Sequence, residues 1–172
     1  SCTTVRERFT VPLLVAVAFA FGACIGSFLN VVIWRLPRGE SLLWPGSRCP
    51  GCGAAIPAFA NVPILSYLFL RGRCRACGVA ISIRYPLVEA LTGALFAALL
   101  AAHGPSARLL IEWAIASALL AVIFIDIDHY IIPNWITLPG LAAGLLISIA
   151  APSLGVGFKD AALGVLIAGG AF

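Results

Sequence analysis

Long apolar runs are the feature that most constrains the fold of this chain. The first run extends from Val11 to Ile33 and contains no charged residue. A membrane hydrocarbon core of about 30 Å is crossed by roughly 20 helical residues, so this run is long enough to span it. Later runs at Pro86 to Ala102, Leu109 to Ile125 and Trp135 to Ala151 predict three more membrane helices, each near the short end of the spanning range.

The composition indicates that most of the chain is solvated by lipid. The 172 residues are 62% hydrophobic and only 10% charged, with a mean hydropathy of +1.07. A soluble domain of this size rarely reaches such values, because part of its surface must face water. Lipid also requires backbone groups to be paired internally, which favours helices. We therefore predict an all-α, polytopic transmembrane helix bundle.

Small residues in the first run predict close helix packing. Gly22, Gly26 and Ser27 lie near the polar Asn30. Small side chains and hydrogen bonds between helices promote association in lipid. This face of the first helix is therefore expected to contact another helix closely.

Basic residues are concentrated in one segment, and this predicts the topology. Seven of the eleven basic residues lie between residues 35 and 84, where Glu40 is the only acidic residue. The positive-inside bias puts this segment in the cytosol, so the N-terminus lies outside and the third helix delivers Asp126 to the cytosolic side. A basic stretch can also bind nucleic acid, but a segment bounded by two membrane helices is better explained by topology, and we expect no nucleic-acid partner.

A cleaved signal peptide is the alternative interpretation of the first run. Arg6 and Arg8 would be its basic end, and the sequence from Phe21 to Cys24 resembles a poor lipoprotein-type cleavage site. Cleavage there would put the arginine-rich segment outside the cell, against the charge bias. The membrane-helix interpretation is therefore favoured.

Three regions follow from these patterns. Residues 1–34 form the N-terminal segment and first transmembrane helix, residues 35–85 form a small cytosolic domain, and residues 86–172 form a transmembrane core. A fifth apolar run begins at Ala161 and reaches only about 18 Å of the membrane thickness by Phe172. We therefore expect the core to be incomplete at its C-terminus, as the amino-terminal part of a longer protein.

Four cysteines of the cytosolic domain have the spacing of a metal site. They form two Cys-x2-Cys pairs, each followed by a glycine that allows the backbone to turn: Cys49, Cys52, Cys74 and Cys77. Four thiolates suit structural Zn²⁺, which takes a closed tetrahedral site without an open position for water. Disulfides, which a reducing cytosol disfavours, and metal-free thiols are the alternatives. Cys2 and Cys24 fall outside the pattern and are predicted to be unpaired.

Two carboxylates at the end of the third apolar run are candidate functional groups. An ionisable residue within a membrane segment is costly and is a functional candidate for that reason, although Asp126 and Asp128 could also be wetted residues at a helix end. Two positions along a helix correspond to about 200° of rotation, so these two cannot form an aspartic dyad with each other. A dyad needs a carboxylate from another segment.

Three further carboxylates are candidates for that partner. Asp160 lies in a predicted outer loop beside Lys159, and it is interpreted as a solvated residue that caps the fifth helix. Glu89 and Glu112 lie just inside the second and third helices, and Glu89 is the better placed to face a cytosolic cavity.

A series of short motifs resembles one bacterial family. The motifs are Gly26-Ser27-Phe28-Leu29-Asn30-Val31-Val32-Ile33-Trp34-Arg35-Leu36-Pro37, Ser47-Arg48-Cys49-Pro50, Asn61-Val62-Pro63, Arg71-Gly72-Arg73-Cys74-Arg75-Ala76-Cys77, Ile81-Ser82-Ile83-Arg84-Tyr85-Pro86-Leu87-Val88-Glu89 and Thr92-Gly93. Their order and spacing from about Ala16 to Phe172 resemble the type IV prepilin peptidases. No single motif is decisive, but the series is specific.

The resemblance implies an activity and its cofactors. It implies an intramembrane aspartyl peptidase of the bacterial inner membrane that removes the basic leader from type IV prepilins or type II secretion pseudopilins. It also implies N-methylation of the new N-terminus from S-adenosylmethionine, and partners in the pilus or secretion machinery. The cytosolic zinc domain would hold the leader or form part of the methyl-donor site.

The resemblance also assigns individual residues. Asp126, seven residues before Pro133, matches the first catalytic aspartate, while Asp128 and Asn134 match neighbouring motif positions. The second catalytic aspartate belongs to a Gly-x-Gly-Asp motif beyond residue 172, so this chain alone is expected to be inactive. Glu89 and Gly93 are candidates for S-adenosylmethionine binding, with helix packing as the alternative.

Two other functions are compatible with parts of the sequence. A noncatalytic membrane assembly subunit would use the zinc module for docking and Asp126 only structurally. A proton-coupled transporter would use Asp126 as the proton carrier, but it would be expected to have further charged residues at mid-membrane, and the sequence offers none.

Overall fold

A computed structural model describes residues 2–49, 51–57, 62–154 and 157–170, with side chains from residue 11 to residue 167. Most of the described residues are helical, and none of them lies in a β-strand. There are six α-helices, which run in the following order: α1 (Cys2–Arg35), α2 (Leu65–Phe69), α3 (Arg84–His103), α4 (Ala107–His129), α5 (Asn134–Ala150) and α6 (Phe158–Gly170). This confirms the predicted all-α class.

Three helices are long and apolar enough to cross a membrane. These candidate spans are Val11–Arg38, Arg84–His103 and Ala107–His129. The fourth predicted span corresponds to α5, a shorter apolar helix of 17 residues in which Pro139 is accommodated. Whether α5 and α6 cross the bilayer stays a prediction, and the end of the fifth run at Phe172 lies outside the described residues.

The helix α1 packs most extensively against α3, and glycines make the approach possible. A Cβ at Gly26 would lie 2.7 Å from Glu89 Cα, and one at Gly22 would lie 2.9 Å from Gly93 Cα. The Asn30 amide donates to the Tyr85 carbonyl oxygen at 3.1 Å, a hydrogen bond between the same two helices. The predicted close-packing face of the first helix is therefore confirmed.

The helix α4 packs against α1 and α3 and completes the core. At one end, Trp113 stacks on Phe96 with ring centroids 4.6 Å apart, and its indole N–H donates to the Phe96 carbonyl oxygen at 3.1 Å. At the other end, Ile125 and Val88 are completely buried. The helix begins at Ala107, where the Ser106 hydroxyl accepts a hydrogen bond from a first-turn amide. Contacts near both ends of α4 therefore hold this helix against its neighbours.

The end of α4 differs from the sequence prediction. The apolar run ends at Ile125, but the helix continues to His129 and is closed by Tyr130, whose amide donates to the Asp126 carbonyl oxygen at 2.8 Å. A helix ends where its hydrogen bonds end, and hydropathy does not mark that point. Asp126 and Asp128 consequently lie on the last helical turns, four and two residues before Tyr130.

Candidate functional site

The C-terminal end of α4 presents one paired and one free carboxylate. Arg84 Nη1 contacts both oxygens of Asp128, at 2.6 Å and 2.5 Å, and its Nη2 donates to the Phe124 carbonyl oxygen at 2.9 Å. Asp126 is exposed, and its side chain has no hydrogen-bond partner among the residues described. The structure therefore separates the two aspartates by environment as well as by direction.

The residues that follow α4 form a sharp connection to α5. Tyr130 adopts the left-handed conformation with φ 53°, which reverses the chain direction at the helix end. Three further residues lead to Asn134, the first residue of α5, which is exposed. Asn134 therefore follows the end of α4 by five residues. In the described part of the chain, no hydrogen bond joins its side chain to Asp126.

Glu89 lies in a different environment on α3. Its side chain is buried, and its Oε2 accepts a hydrogen bond from the Ile64 amide at 2.7 Å. Ile64 is held in a tight turn with φ 61°, and Leu65 donates to the Pro63 carbonyl oxygen across it. Glu89 therefore ties the segment between α1 and α3 (residues 36–83), which we call the extramembrane segment after its predicted location, to the start of α3.

Gly93, the other residue suggested for the methyl donor, lies one turn further along α3. A Cβ there would meet the Phe19 carbonyl oxygen at 2.8 Å, so the glycine allows α1 and α3 to touch. This contact gives Gly93 a packing role. An additional role for Glu89 and Gly93 in binding S-adenosylmethionine stays a prediction.

The four cysteines of the extramembrane segment converge on one point. The sulfur atoms of Cys49, Cys52, Cys74 and Cys77 all lie within 4.8 Å of one another, and the distance between Cys49 Sγ and Cys77 Sγ is 3.9 Å. Zn–S bonds of about 2.3 Å in a tetrahedron require sulfur atoms roughly 3.8 Å apart. The cluster could therefore hold a metal ion, and four thiols fit Zn²⁺ with no position left for a reacting water.

The two cysteine pairs have the same local geometry. In each, the amide of the first cysteine donates to a carbonyl oxygen five residues later, and the glycine four residues on donates back to that cysteine. Both glycines have φ near +70°, a conformation that side chains with a Cβ rarely adopt. The bonds are Cys49 to Ala54 and Gly53 to Cys49, each 2.9 Å, and Cys74 to Val79 at 2.8 Å with Gly78 to Cys74 at 2.9 Å.

Thiol ionisation in the cluster is uneven. Hydrogen bonds from the Cys77 and Ala76 amides lower the pKa of Cys74 to about 6. The Val79 amide lowers the pKa of Cys77, but hydrogen bonds with neighbouring thiols, Cys52 foremost, together with burial raise it to about 11. A metal ion bound by four thiolates must displace the remaining protons, so metal affinity falls as the pH falls.

The remaining residues considered from the sequence are two carboxylates, Asp160 and Glu112, and two cysteines, Cys24 and Cys2. Asp160 lies exposed in the first turn of α6, where a carboxylate complements the helix N-terminus. Glu112 binds Arg108 at 3.0 Å and His103 at 2.6 Å, near the opposite end of α4 from Asp126. Cys24 is free and exposed, and the side chain of Cys2 lies outside the described residues.

Sequence reasoning missed two of these contacts. The ion pair between Arg84 and Asp128 joins residues 44 positions apart, and the hydrogen bond from Ile64 to Glu89 joins residues 25 positions apart. A signal for the first existed, since Arg84 is the basic residue at the start of one membrane helix while Asp128 is an acidic residue at the end of the next. No local pattern indicates the second.

Two family models match the chain. The model described as the bacterial peptidase A24 N-terminal domain matches residues 20–103, and the type IV leader peptidase family model matches residues 113–172. The first match covers the extramembrane segment with its four cysteines. The second covers most of α4 and the helices after it, including Asp126.

Individual relatives carry the same description. The chain is 47% identical over 156 residues to a prepilin leader peptidase/N-methyltransferase of Myxococcus xanthus (strain DK1622), covering 91% of this chain and 46% of that protein. Proteins of the same name from Burkholderia pseudomallei (strain 1026b) and Aeromonas hydrophila are 41% and 39% identical, covering 78% and 90% of this chain and 52% and 61% of the relatives. The chain thus spans about half the length of these curated relatives. No solved structure matches it.

Proposed function

Because this chain belongs to the type IV leader peptidase family, we propose that its protein is an intramembrane aspartyl peptidase that cleaves the basic leader from type IV prepilins or type II secretion pseudopilins. The observation that carries the proposal is the exposed carboxyl of Asp126 on the last turns of an apolar helix. Such a group lies where a substrate changes from a charged leader to a hydrophobic helix.

The proposed chemistry needs two carboxyl groups. Two carboxylates brought close cannot both be ionised cheaply, so one keeps a proton while the other deprotonates the water that attacks the scissile carbonyl. Asp126 is proposed as one of the pair. Asp128 is bound by Arg84 and points elsewhere, so it and Asn134 are proposed as supporting residues. The second carboxylate is proposed to come from the Gly-x-Gly-Asp motif of the family.

The relatives' names also support a methyltransferase activity. We propose that the protein methylates the new N-terminus of the cleaved pilin and that S-adenosylmethionine is the methyl donor, which the word methyltransferase in those names implies. Glu89 and Gly93 remain the proposed residues near that cofactor. Transfer of a labelled methyl group to the cleaved peptide would test this activity separately from cleavage.

The extramembrane segment is proposed as a cytosolic zinc domain of the inner membrane. Its arginines support the cytosolic side, and the fit of the four sulfurs supports Zn²⁺. Residues 1–34, 35–85 and 86–172 are proposed as the three regions. Elemental analysis should find one zinc per chain in the wild-type protein and none in the double variant Cys49→Ser, Cys74→Ser. An unchanged zinc content in the double variant would refute the site.

Cleavage of a prepilin in membranes tests the main proposal. The intact protein should release the leader, and Asp126→Asn should abolish release, because an amide cannot hold or transfer the proton. Asp160→Asn, which changes an exposed carboxyl at the start of α6, is the matched control and should retain activity. Equal cleavage by wild type and Asp126→Asn would remove Asp126 from the chemistry and would favour a noncatalytic assembly subunit.

A further inference from the structure

Arg84, the first residue of α3, makes several contacts with α4. Its guanidinium contacts both carboxylate oxygens of Asp128 and the carbonyl oxygen of Phe124, all on α4. It also lies over the Phe124 ring, 5.0 Å from the ring centroid. A planar guanidinium that binds a carboxylate and a carbonyl together fixes their relative positions, since its donors have a rigid arrangement.

The contacts of Arg84 bracket Asp126. Phe124 precedes Asp126 by two residues and Asp128 follows it by two, so the guanidinium holds the backbone and a side chain on either side of the candidate catalytic residue. Asp126 itself points away by about 200° of helical rotation. The arginine therefore binds one face of the last turns of α4, and the opposite face, which carries Asp126, stays exposed.

The rest of Arg84 is anchored on α3. Its backbone amide donates to the Ser82 hydroxyl at 3.3 Å, and four residues later α3 reaches Val88, which is completely buried in the core. The contact with Asp128, which lies in the last turn of α4, ties that turn to α3, and the contact with the Phe124 carbonyl oxygen lies one turn earlier. A cation near that end is also favourable for the helix dipole.

We propose that Arg84 is a positioning residue for the cleavage reaction: it holds the end of α4 so that Asp126 keeps a fixed position relative to the substrate bond. The inference rests on the proposed function of Asp126. Arg84 acts through Phe124 and Asp128 and does not touch the substrate. Its loss should therefore lower kcat and leave KM nearly unchanged. A displacement of about 1 Å at a reacting group can cost on the order of 100-fold in rate.

The test compares variants of the intact protein in membranes, using one prepilin substrate and rates normalised to folded protein. Arg84→Ala should reduce kcat about 10- to 100-fold. Arg84→Lys should be intermediate, because a single ammonium cannot reproduce the planar fork. The matched control is Arg108→Ala, which removes an arginine that pairs with a carboxylate near the other end of α4 and should leave kcat within about twofold.

Asp128→Asn provides an independent test of the positioning role if Arg84→Ala folds poorly. It keeps the size of the side chain and removes the charge that Arg84 binds, so it should lower kcat in the same direction as Arg84→Lys. A merely structural role for the pair would reduce the amount of folded protein and leave kcat per folded molecule unchanged. That result in all three variants would overturn the proposal.

The failure of this inference can be distinguished from the failure of the proposed function. If Asp126→Asn is inactive while Arg84→Ala matches Arg108→Ala, then the catalytic assignment stands and the positioning role is refuted. If Arg84→Ala raises KM with unchanged kcat, then Arg84 contacts the substrate and the proposal is again overturned. If Asp126→Asn cleaves normally, the catalytic assignment fails first.

Discussion

The glycines of α1 and α3 and the glycines of α5 and α6 lie in opposite environments. At Gly22, Gly26 and Gly93, an added Cβ would come within 3 Å of the neighbouring helix. At Gly140, Gly144 and Gly164, it would meet nothing within 4 Å among the described residues. The same residue type therefore marks a closed interface between α1 and α3 and an uncovered surface on α5 and α6.

The largest effect is expected at the closed interface. Gly26→Ala would bring a methyl group 2.7 Å from Glu89 Cα, and backbone atoms cannot move aside as a flexible side chain can. The two helices must separate, which should destabilise the folded protein by about 1–3 kcal/mol. Thermal unfolding of the purified protein in detergent would measure this. An unchanged melting temperature would mean that α1 and α3 do not approach as closely as described.

A more local effect is expected where the extramembrane segment meets α3. Glu89→Ala would leave the Ile64 amide without its acceptor, at a cost of about 1–3 kcal/mol that is confined to this segment. Trypsin should then cut faster at the exposed Arg71 and Arg73. Glu89→Gln keeps an acceptor oxygen and should be cut at nearly the wild-type rate. Equal cutting of all three proteins would show that the hydrogen bond does not hold the segment.

The smallest effect is expected on the uncovered surface. Gly144→Ala places a methyl group in open space and replaces the poorest ordinary helix former with the best, so it should be neutral or stabilise the protein by up to about 1 kcal/mol. It is the matched control for Gly26→Ala in the same unfolding measurement. A marked destabilisation would reveal a partner that covers α5, and it would remove the contrast between the glycines of α1 and α3 and those of α5 and α6.

The sequence predicts features that depend on local pattern. Apolar length gives the helices, and the Cys-x2-Cys spacing gives each cysteine pair, because both are set by residues close together in the chain; the repetition of that pair predicts the four-cysteine cluster. The small-residue face of α1 also follows, since Gly22 and Gly26 are one turn apart. The structure confirms each of these features.

Features that depend on how helices are rotated against each other could not be predicted. The partners of Asp128 and Glu89 are backbone or side-chain groups from other segments, and hydropathy carries no information on that rotation. Hydropathy likewise ends α4 at Ile125 instead of His129, because Tyr130 closes the helix without the glycine that usually marks such an end.

The close contact of α1 and α3 brings together the two ends of the segment that separates them. The hydrogen bond from Asn30 to the Tyr85 carbonyl oxygen joins residues 55 positions apart in the chain. An insertion whose ends already meet can change length at little cost, since each doubling of a flexible loop adds only about 0.6 kcal/mol of closure entropy. Evolution can therefore lengthen, shorten or exchange this module while the membrane helices keep their geometry.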